Sequence, residues 1–231
     1  METQIKEVAK SYDKAIDLGR KGIDLYNELP EYITNHPNYP LFQSLRSKGL
    51  LSDSARQEIK DYLSPLKDMN FIDLGCCLNL KFAGYDNWSS TYHGVDISSK
   101  TIELLNEFVA KNNISIGSLH CTSMHDTPYE ANFFDIGACI GSLEYFESDF
   151  IEQVIIEAHR IMKQNGKFVF DIPNIESPVC QITMMIEKHL GRPDLFNMSI
   201  QSFEDMLEKY FVIEKKEEVG PMIQYFVKCQ K

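Results

Sequence analysis

The chain has 231 residues, of which 43% are hydrophobic and 25% are charged. This composition is that of a folded globular protein and excludes a disordered chain. Thirty-four acidic and 23 basic side chains give a formal charge of −11, which argues against a surface that neutralises phosphates, so we expect no nucleic-acid partner.

The first part of the chain is predicted to form a helical layer. Prolines and asparagines over residues 30–40 interrupt the helical periodicity and predict a loop. A second helix is predicted from near Ser54, with a possible capping box at Gln57, to just before Pro65. We therefore assign residues 1–66 to an N-terminal helical cap. Apolar residues at the spacing of one helix face open it: Ile5, Val8, Tyr12, Ala15, Ile16, Ile23 and Tyr26.

No segment predicts an export signal or a membrane span. The N-terminus alternates charges, and no stretch approaches the ~20 apolar residues that cross a bilayer. Six cysteines, none in CxxC spacing, predict neither a disulfide framework nor a zinc site. We expect a cytoplasmic protein without a bound metal.

From residue 67 to residue 231 the pattern predicts an α/β domain. Short apolar runs alternate with helical patterns, which is typical of a doubly wound, mostly parallel sheet. A helix over 202–210 and a closing hairpin of strands 211–214 and 222–228 follow, so the last strand is antiparallel. A helical insert is predicted at about 173–200. The other strands are predicted at 70–74, 92–96, 116–120, 134–139 and 167–171.

Candidate site residues follow the first strands, because ligands bind at the carboxyl ends of the strands in open α/β sheets. The first strand runs into a turn that begins at Gly75. The second ends at Asp96, 23 residues after Asp73, where a carboxylate is placed to accept hydrogen bonds from ribose hydroxyls. A helix that ends in the turn Asn165-Gly166 precedes the fifth strand.

Together these segments resemble the class I S-adenosylmethionine-dependent methyltransferases, particularly the small-molecule and ubiquinone-biosynthesis group. The stretch 73–76 is similar to the opening of the family's D-x-G-x-G-x-G loop, and Asp96 is similar to its ribose-binding acid. Asp135 matches the acid of the fourth strand, and 160–166 matches the R-x-L-K-P-G-G turn. The resemblance covers roughly residues 68–230 and implies a seven-stranded Rossmann-like sheet.

The resemblance also implies S-adenosylmethionine as the cofactor, with S-adenosylhomocysteine as the product. The chain departs from the family at Cys77 and Asn79, which replace loop glycines, and at Ser123, which replaces an acid. A Cβ at position 77 restricts the approach of the backbone to a ligand. The cofactor-binding residues that the resemblance implies are Asp73, Gly75, Cys76, Cys77, Asp96, Ile97, Ser123, Met124 and Gly141.

Methyl transfer chiefly requires that nucleophile, carbon and sulfur be held in line, so a catalytic base can be absent. If the acceptor must lose a proton, the candidates are Tyr145, Glu144, His125 and Asn174. Tyr145 ranks first, because many relatives carry a His there. We expect a small-molecule acceptor whose pocket is roofed by the cap and the insert, where an apolar stripe could instead pack on the sheet or on a second subunit.

Two other functions stay open. One is a protein of the same fold that binds S-adenosylmethionine or a nucleoside with little or no catalysis. The other is a nicotinamide-dependent oxidoreductase, whose G-x-G-x-x-G pattern needs glycines where Cys77 and Leu80 stand. The protein is expected to be a monomer or a homodimer.

Overall fold

A computed structural model describes residues 2–24, 26–47, 57–192 and 195–231. Within these residues seven strands form one sheet in the order β3-β2-β1-β4-β5-β7-β6. Only β7 runs antiparallel to its neighbours, so the predicted doubly wound sheet with an antiparallel last strand is confirmed. The strands are β1 (Asn70–Leu74), β2 (Thr91–Asp96), β3 (Ser118–Cys121), β4 (Phe134–Cys139), β5 (Met162–Pro173), β6 (Phe211–Val219) and β7 (Met222–Cys229).

The helices lie before the sheet and between its strands. No helix among the described residues is long and apolar enough to cross a membrane. Short 3₁₀ helices cover Tyr85–Asn87 and Leu143–Tyr145. The α-helices are α1 (Glu2–Arg20), α2 (Glu31–Thr34), α3 (Tyr39–Ser47), α4 (Gln57–Leu63), α5 (Asn79–Phe82), α6 (Ser99–Asn112), α7 (Ser148–Ile161), α8 (Pro178–His189) and α9 (Ile200–Leu207).

The N-terminal layer differs from its prediction in two places. The predicted loop over 30–40 contains α2 and the start of α3, because proline is tolerated in the first turn of a helix. The first helix ends at Arg20, before the predicted positions Ile23 and Tyr26, and Gly22 follows with a φ of 73°. The predicted cap at Ser54 lies outside the described residues.

The fifth strand also begins earlier than its pattern indicates. The helix before it ends at Ile161, and β5 starts at Met162. Residues 163–166 form an irregularity opposite β4, where the register shifts between Phe134 and Ile136. Asn165 adopts a φ of 63° there, so the predicted Asn-Gly turn is a bulge within a strand.

Both faces of the sheet are covered by helices. One apolar cluster joins the sheet to α7 and α9, and a second joins the other face to α4 and α6. A third cluster, called here the cap-insert cluster, packs α2 and α3 on α8 through Ile33, Phe42, Ile182 and Ile186. The apolar stripe of the insert therefore packs on the N-terminal helices. This arrangement leaves the carboxyl ends of β1, β2 and β4 at one edge.

Candidate active site

The loop after β1 crosses closely over the ends of its neighbouring strands. The amides of Gly75 and Cys76 both donate to the carbonyl of Val95, at 3.0 and 2.9 Å. Gly75 has a φ of 71°, and a Cβ on it would lie 2.2 Å from Oγ of Ser142. A side chain at position 75 is therefore excluded by both conformation and space. Cys77 follows with a φ of 40°.

Asp96 ties this loop to the start of α6. Its Oδ2 accepts a hydrogen bond from the amide of Cys77 at 2.8 Å, and its Oδ1 accepts one from the amide of Ser98 at 2.8 Å. Burial raises the pKa of Asp96 to about 6, although the two amide bonds lower it. The two hydrogen bonds thus fix the orientation of the carboxylate, and its raised pKa lies within about one unit of neutral pH.

Asp73 lies beneath the loop in the core. The Tyr92 hydroxyl donates to its Oδ2 at 2.9 Å, while its Oδ1 has no hydrogen-bond partner. Burial raises the pKa of Asp73 to about 7, against the lowering effect of the Tyr92 bond. The side chain supports the loop from below and does not line the two cavities at this edge of the sheet.

A first cavity lies between the β1 loop, the end of β2 and α1. Its free volume is about 40 Å³, far below the roughly 300–1,000 Å³ of typical ligand pockets. The predicted catalytic residue Tyr145 lines it, together with six predicted cofactor-binding residues: Gly75, Cys77, Asp96, Ile97, Ser123 and Met124. Ser142 also lines it, at the position after the fourth strand where the family resemblance implies contact with the sulfonium or the acceptor. Sequence reasoning missed other residues that close the cavity: Val8 and Tyr12 from α1, and Phe146 and Phe150 after β4.

A second, larger cavity of about 1250 Å³ adjoins the first. It lies between α1, α3 and α8. Gly141, predicted at the cofactor, lines this second cavity instead. Cys76 lines neither cavity, because its side chain is buried in the core. The residues common to both cavities are Tyr12, Cys77 and Tyr145.

Two tyrosines stand at the junction of the cavities. The rings of Tyr12 and Tyr145 meet edge to face, with centroids 5.6 Å apart. Burial raises the pKa of both phenols well above the usual value, so both stay protonated at neutral pH. The guanidinium of Arg192 lies 5.7 Å from the Tyr12 ring centroid and donates to Glu187 at 2.6 Å. The two phenols are therefore neutral, with the ion pair of Arg192 and Glu187 behind them and the carboxylate of Glu144 close to both.

The other predicted base candidates are placed differently. Glu144 lines the second cavity. His125 packs against Phe150 and shares a 2.6 Å hydrogen bond with Ser123, while Asn174 is buried and lines neither cavity. Of these three side chains, Glu144 is the one that faces the space next to the junction.

Comparison with known proteins gives both a sequence match and structural matches. Residues 72–170 match a family described as a methyltransferase domain. No curated protein matches the chain. The matched segment covers less than half of the 231 residues.

Solved structures share the fold over most of the chain. The PH0226 protein from Pyrococcus horikoshii OT3 is 21% identical, with 88% of this chain and 100% of that one covered and a TM-score of 0.66. Geranyl diphosphate C-methyltransferase from Streptomyces coelicolor A3(2), crystallised with Mg²⁺, geranyl diphosphate and S-adenosyl-L-homocysteine, is 13% identical, with 98% and 97% covered and a TM-score of 0.66. The cyclase SpnF is 12% identical, with 76% and 78% covered and a TM-score of 0.57. At such identities the likeness shows the fold alone.

The raised pKa of Asp73 predicts a pH dependence of stability. The folded protein keeps this proton up to about pH 7, whereas the unfolded chain loses it near pH 3.9, so the contribution of Asp73 to the free energy of unfolding falls as pH rises between these values. Asp73→Asn should reduce that fall by about 2–4 kcal/mol, as measured by urea unfolding at several pH values. Equal pH slopes for wild type and Asp73→Asn, with exposed Asp68→Asn as the charge control, would contradict it.

Proposed function

We propose that this chain is an S-adenosylmethionine-dependent methyltransferase that acts on a small-molecule acceptor. The observation that carries the proposal is the meeting of two cavities at Tyr12, Cys77 and Tyr145. The first cavity contains the carboxylate and the glycine turn expected of a nucleoside site. The second is large enough for an acceptor. A methyl group that passes between two ligands needs such a junction.

The first cavity is proposed to bind S-adenosylmethionine. Asp96 would accept hydrogen bonds from the ribose hydroxyls, and Gly75, which has no Cβ, leaves room for the methionine end. Ile97 and Met124 would contact the adenine. When bound, the cofactor supplies a methyl carbon activated by a positive sulfur. The S-adenosyl-L-homocysteine bound by the geranyl diphosphate C-methyltransferase of the same fold supports this assignment.

Ligand entry requires the first cavity to widen, since its free volume is about 40 Å³. Val8 and Tyr12 of α1 form the part of its wall that does not belong to the sheet domain. Val8 is the one fully buried side chain among the described side chains of α1. Moving this helix costs the burial of Val8, roughly 1.5–3 kcal/mol, together with the packing of Ile5 and Tyr12 on the core and the hydrogen bond from Ser98 to Asp13.

The second cavity is proposed to hold the acceptor. Its wall combines apolar and aromatic side chains with charged groups of both signs: Arg20, Arg46, Lys81, Glu144, Asp171, Glu187 and Arg192. Tyr145 is proposed to orient the acceptor, because a phenol with a raised pKa donates a hydrogen bond and does not take a proton at neutral pH. Glu144 is the better candidate for proton removal, where the acceptor needs it. The ubiquinone-biosynthesis subgroup stays a prediction.

A nucleoside-binding protein without transfer activity is the second candidate. The closed first cavity and the side chain of Cys77 at the junction favour it. The two functions differ in one observable, the transfer of a labelled methyl group.

Binding of the product tests the proposed site directly. Isothermal titration of the protein with S-adenosylhomocysteine should give saturable heat. Asp96→Asn should weaken the affinity about tenfold or more, because charge-assisted hydrogen bonds to the ribose are lost. The matched control is exposed Asp68→Asn, which should keep wild-type affinity. No heat with S-adenosylmethionine or S-adenosylhomocysteine would reject the proposal.

A glycine pair separates backbone strain from blockage of the cavity. Gly75 and Gly84 both have a φ of 71°, but a Cβ on Gly84 would have no atom nearer than 3.9 Å. Each alanine variant should lose about 1–2 kcal/mol of stability from the left-handed conformation, and Gly75→Ala should lose more because its Cβ would collide with Ser142. Only Gly75→Ala should also weaken S-adenosylhomocysteine binding, by about tenfold. Equal affinities in the two variants would contradict the placement of the cofactor beside Gly75.

Methyl transfer can be measured before the acceptor is known. The protein is incubated with methyl-deuterated S-adenosylmethionine and a low-molecular-mass cell extract, and labelled products are identified by mass spectrometry. Tyr145→Phe should keep S-adenosylhomocysteine affinity within about twofold and lower turnover about tenfold, because one hydrogen bond is lost. Tyr32→Phe, at a tyrosine that is 61% exposed, is the control. Unchanged turnover in Tyr145→Phe would remove Tyr145 from the site.

A further inference from the structure

The contact between α1 and the start of α6 has no role in the site described so far. Asp13 of α1 accepts a hydrogen bond from the hydroxyl of Ser98, with its Oδ1 2.6 Å from Oγ. One turn further along α1, Asp17 pairs with Lys100 near the surface. Ser98 is almost fully buried, with 1% of its surface exposed. The bond from Asp13 therefore reaches an interior side chain, whereas the Asp17 pair does not.

Ser98 connects Asp13 to the carboxylate of Asp96. Its Oγ accepts the amide hydrogen of Thr101 at 3.0 Å and so caps α6, and its amide donates to Oδ1 of Asp96 at 2.8 Å. A hydroxyl has one proton to give. Because the Ser98 hydroxyl donates its hydrogen bond to Asp13, a lone pair of Oγ is directed at the amide of Thr101. The backbone of Ser98 is thereby held where its amide donates to Asp96.

We propose that Asp13 is a positioning residue of the cofactor site, which acts through Ser98 to fix the orientation of the Asp96 carboxylate. The inference rests on the proposed function, since it assigns to the N-terminal helix a part in nucleoside binding. That helix also supplies Val8 and Tyr12 to the wall of the same cavity. It therefore contacts the site both through its apolar side chains and through one carboxylate.

The charges around Asp96 make this role measurable. Burial and, to a smaller extent, the negative charge of Asp13 together raise the pKa of Asp96 to about 6, against the lowering effect of its backbone hydrogen bonds. The other groups that interact with Asp96 are Asp73 of β1 and the thiols of Cys76 and Cys121. Cys77 contributes its backbone amide. Asp13 is the member of this set that belongs to the N-terminal helix.

The experiment follows S-adenosylhomocysteine affinity from about pH 5 to about pH 8 in the full chain. Wild-type affinity should fall as pH decreases through about 6, because a protonated Asp96 is a poorer acceptor for ribose hydroxyls. Asp96→Asn should remove this bend in the plot of affinity against pH. Asp13→Asn keeps an oxygen for Ser98 but loses the charge, so the bend should move to lower pH while affinity at pH 8 stays within about twofold.

Asp13→Ala loses both the charge and the hydrogen bond, and should bind about fivefold more weakly at pH 8. Asp17→Asn is the matched control on the same helix and should superimpose on wild type. Unfolding transitions of all variants verify that they are folded. A bend that does not move in Asp13→Asn overturns the proposal, even if Asp13→Ala binds weakly, because a merely structural contact would give that result.

The two hypotheses fail in different ways. If the wild type binds no S-adenosylhomocysteine, the proposed function fails. If the wild type binds it, Asp96→Asn weakens binding and the Asp13 variants match wild type, then only the role of Asp13 is lost.

Discussion

The site depends on one half-buried carboxylate that accepts hydrogen bonds from two backbone amides. Asp96 accepts from Cys77 on one side and from Ser98 on the other, so the loop after β1 and the cap of α6 are held by the same group. Gly75 can then turn over the end of β4, where a side chain would collide with Ser142. Since burial raises the pKa of Asp96 to about 6, nearby charges can change the protonation of this carboxylate near neutral pH.

The chemistry that this edge of the sheet favours is orientation. Where the two cavities meet, the phenols of Tyr12 and Tyr145 stay protonated, and the ion pair of Arg192 and Glu187 lies behind them. Neutral phenols carry no charge that would pair with a sulfonium, and they can direct an acceptor by hydrogen bonds. The same fold occurs in a protein named as a cyclase, so function depends on such side chains and not on the sheet.

The sequence patterns predicted those strands whose bounds depend on neighbouring residues alone. The buried strands show continuous apolar runs, so β1 and β4 were predicted with their observed bounds. The start of β5 was not, because Asn165-Gly166 reads as a turn whether it ends a helix or forms a bulge. Tyr12 was predicted only as a residue on a helix face, since no local signal tells which strand ends that helix covers. The residues after Asp73 were found because a strand, a glycine and an acid recur in order.

The cap-insert cluster contains no residue from any strand of the sheet. Ile33 and Phe42 on one side and Ile182 and Ile186 on the other pack mainly with each other, and α3 and α8 also form walls of the larger cavity. Mutations in that cluster can reshape the larger cavity without disturbing the strands or the carboxylate at 96. If relatives differ in the ligand that the larger cavity accepts, the differences are expected to lie mainly in α3 and α8. Because these two helices pack on each other, substitutions in one should be accompanied by substitutions in the other.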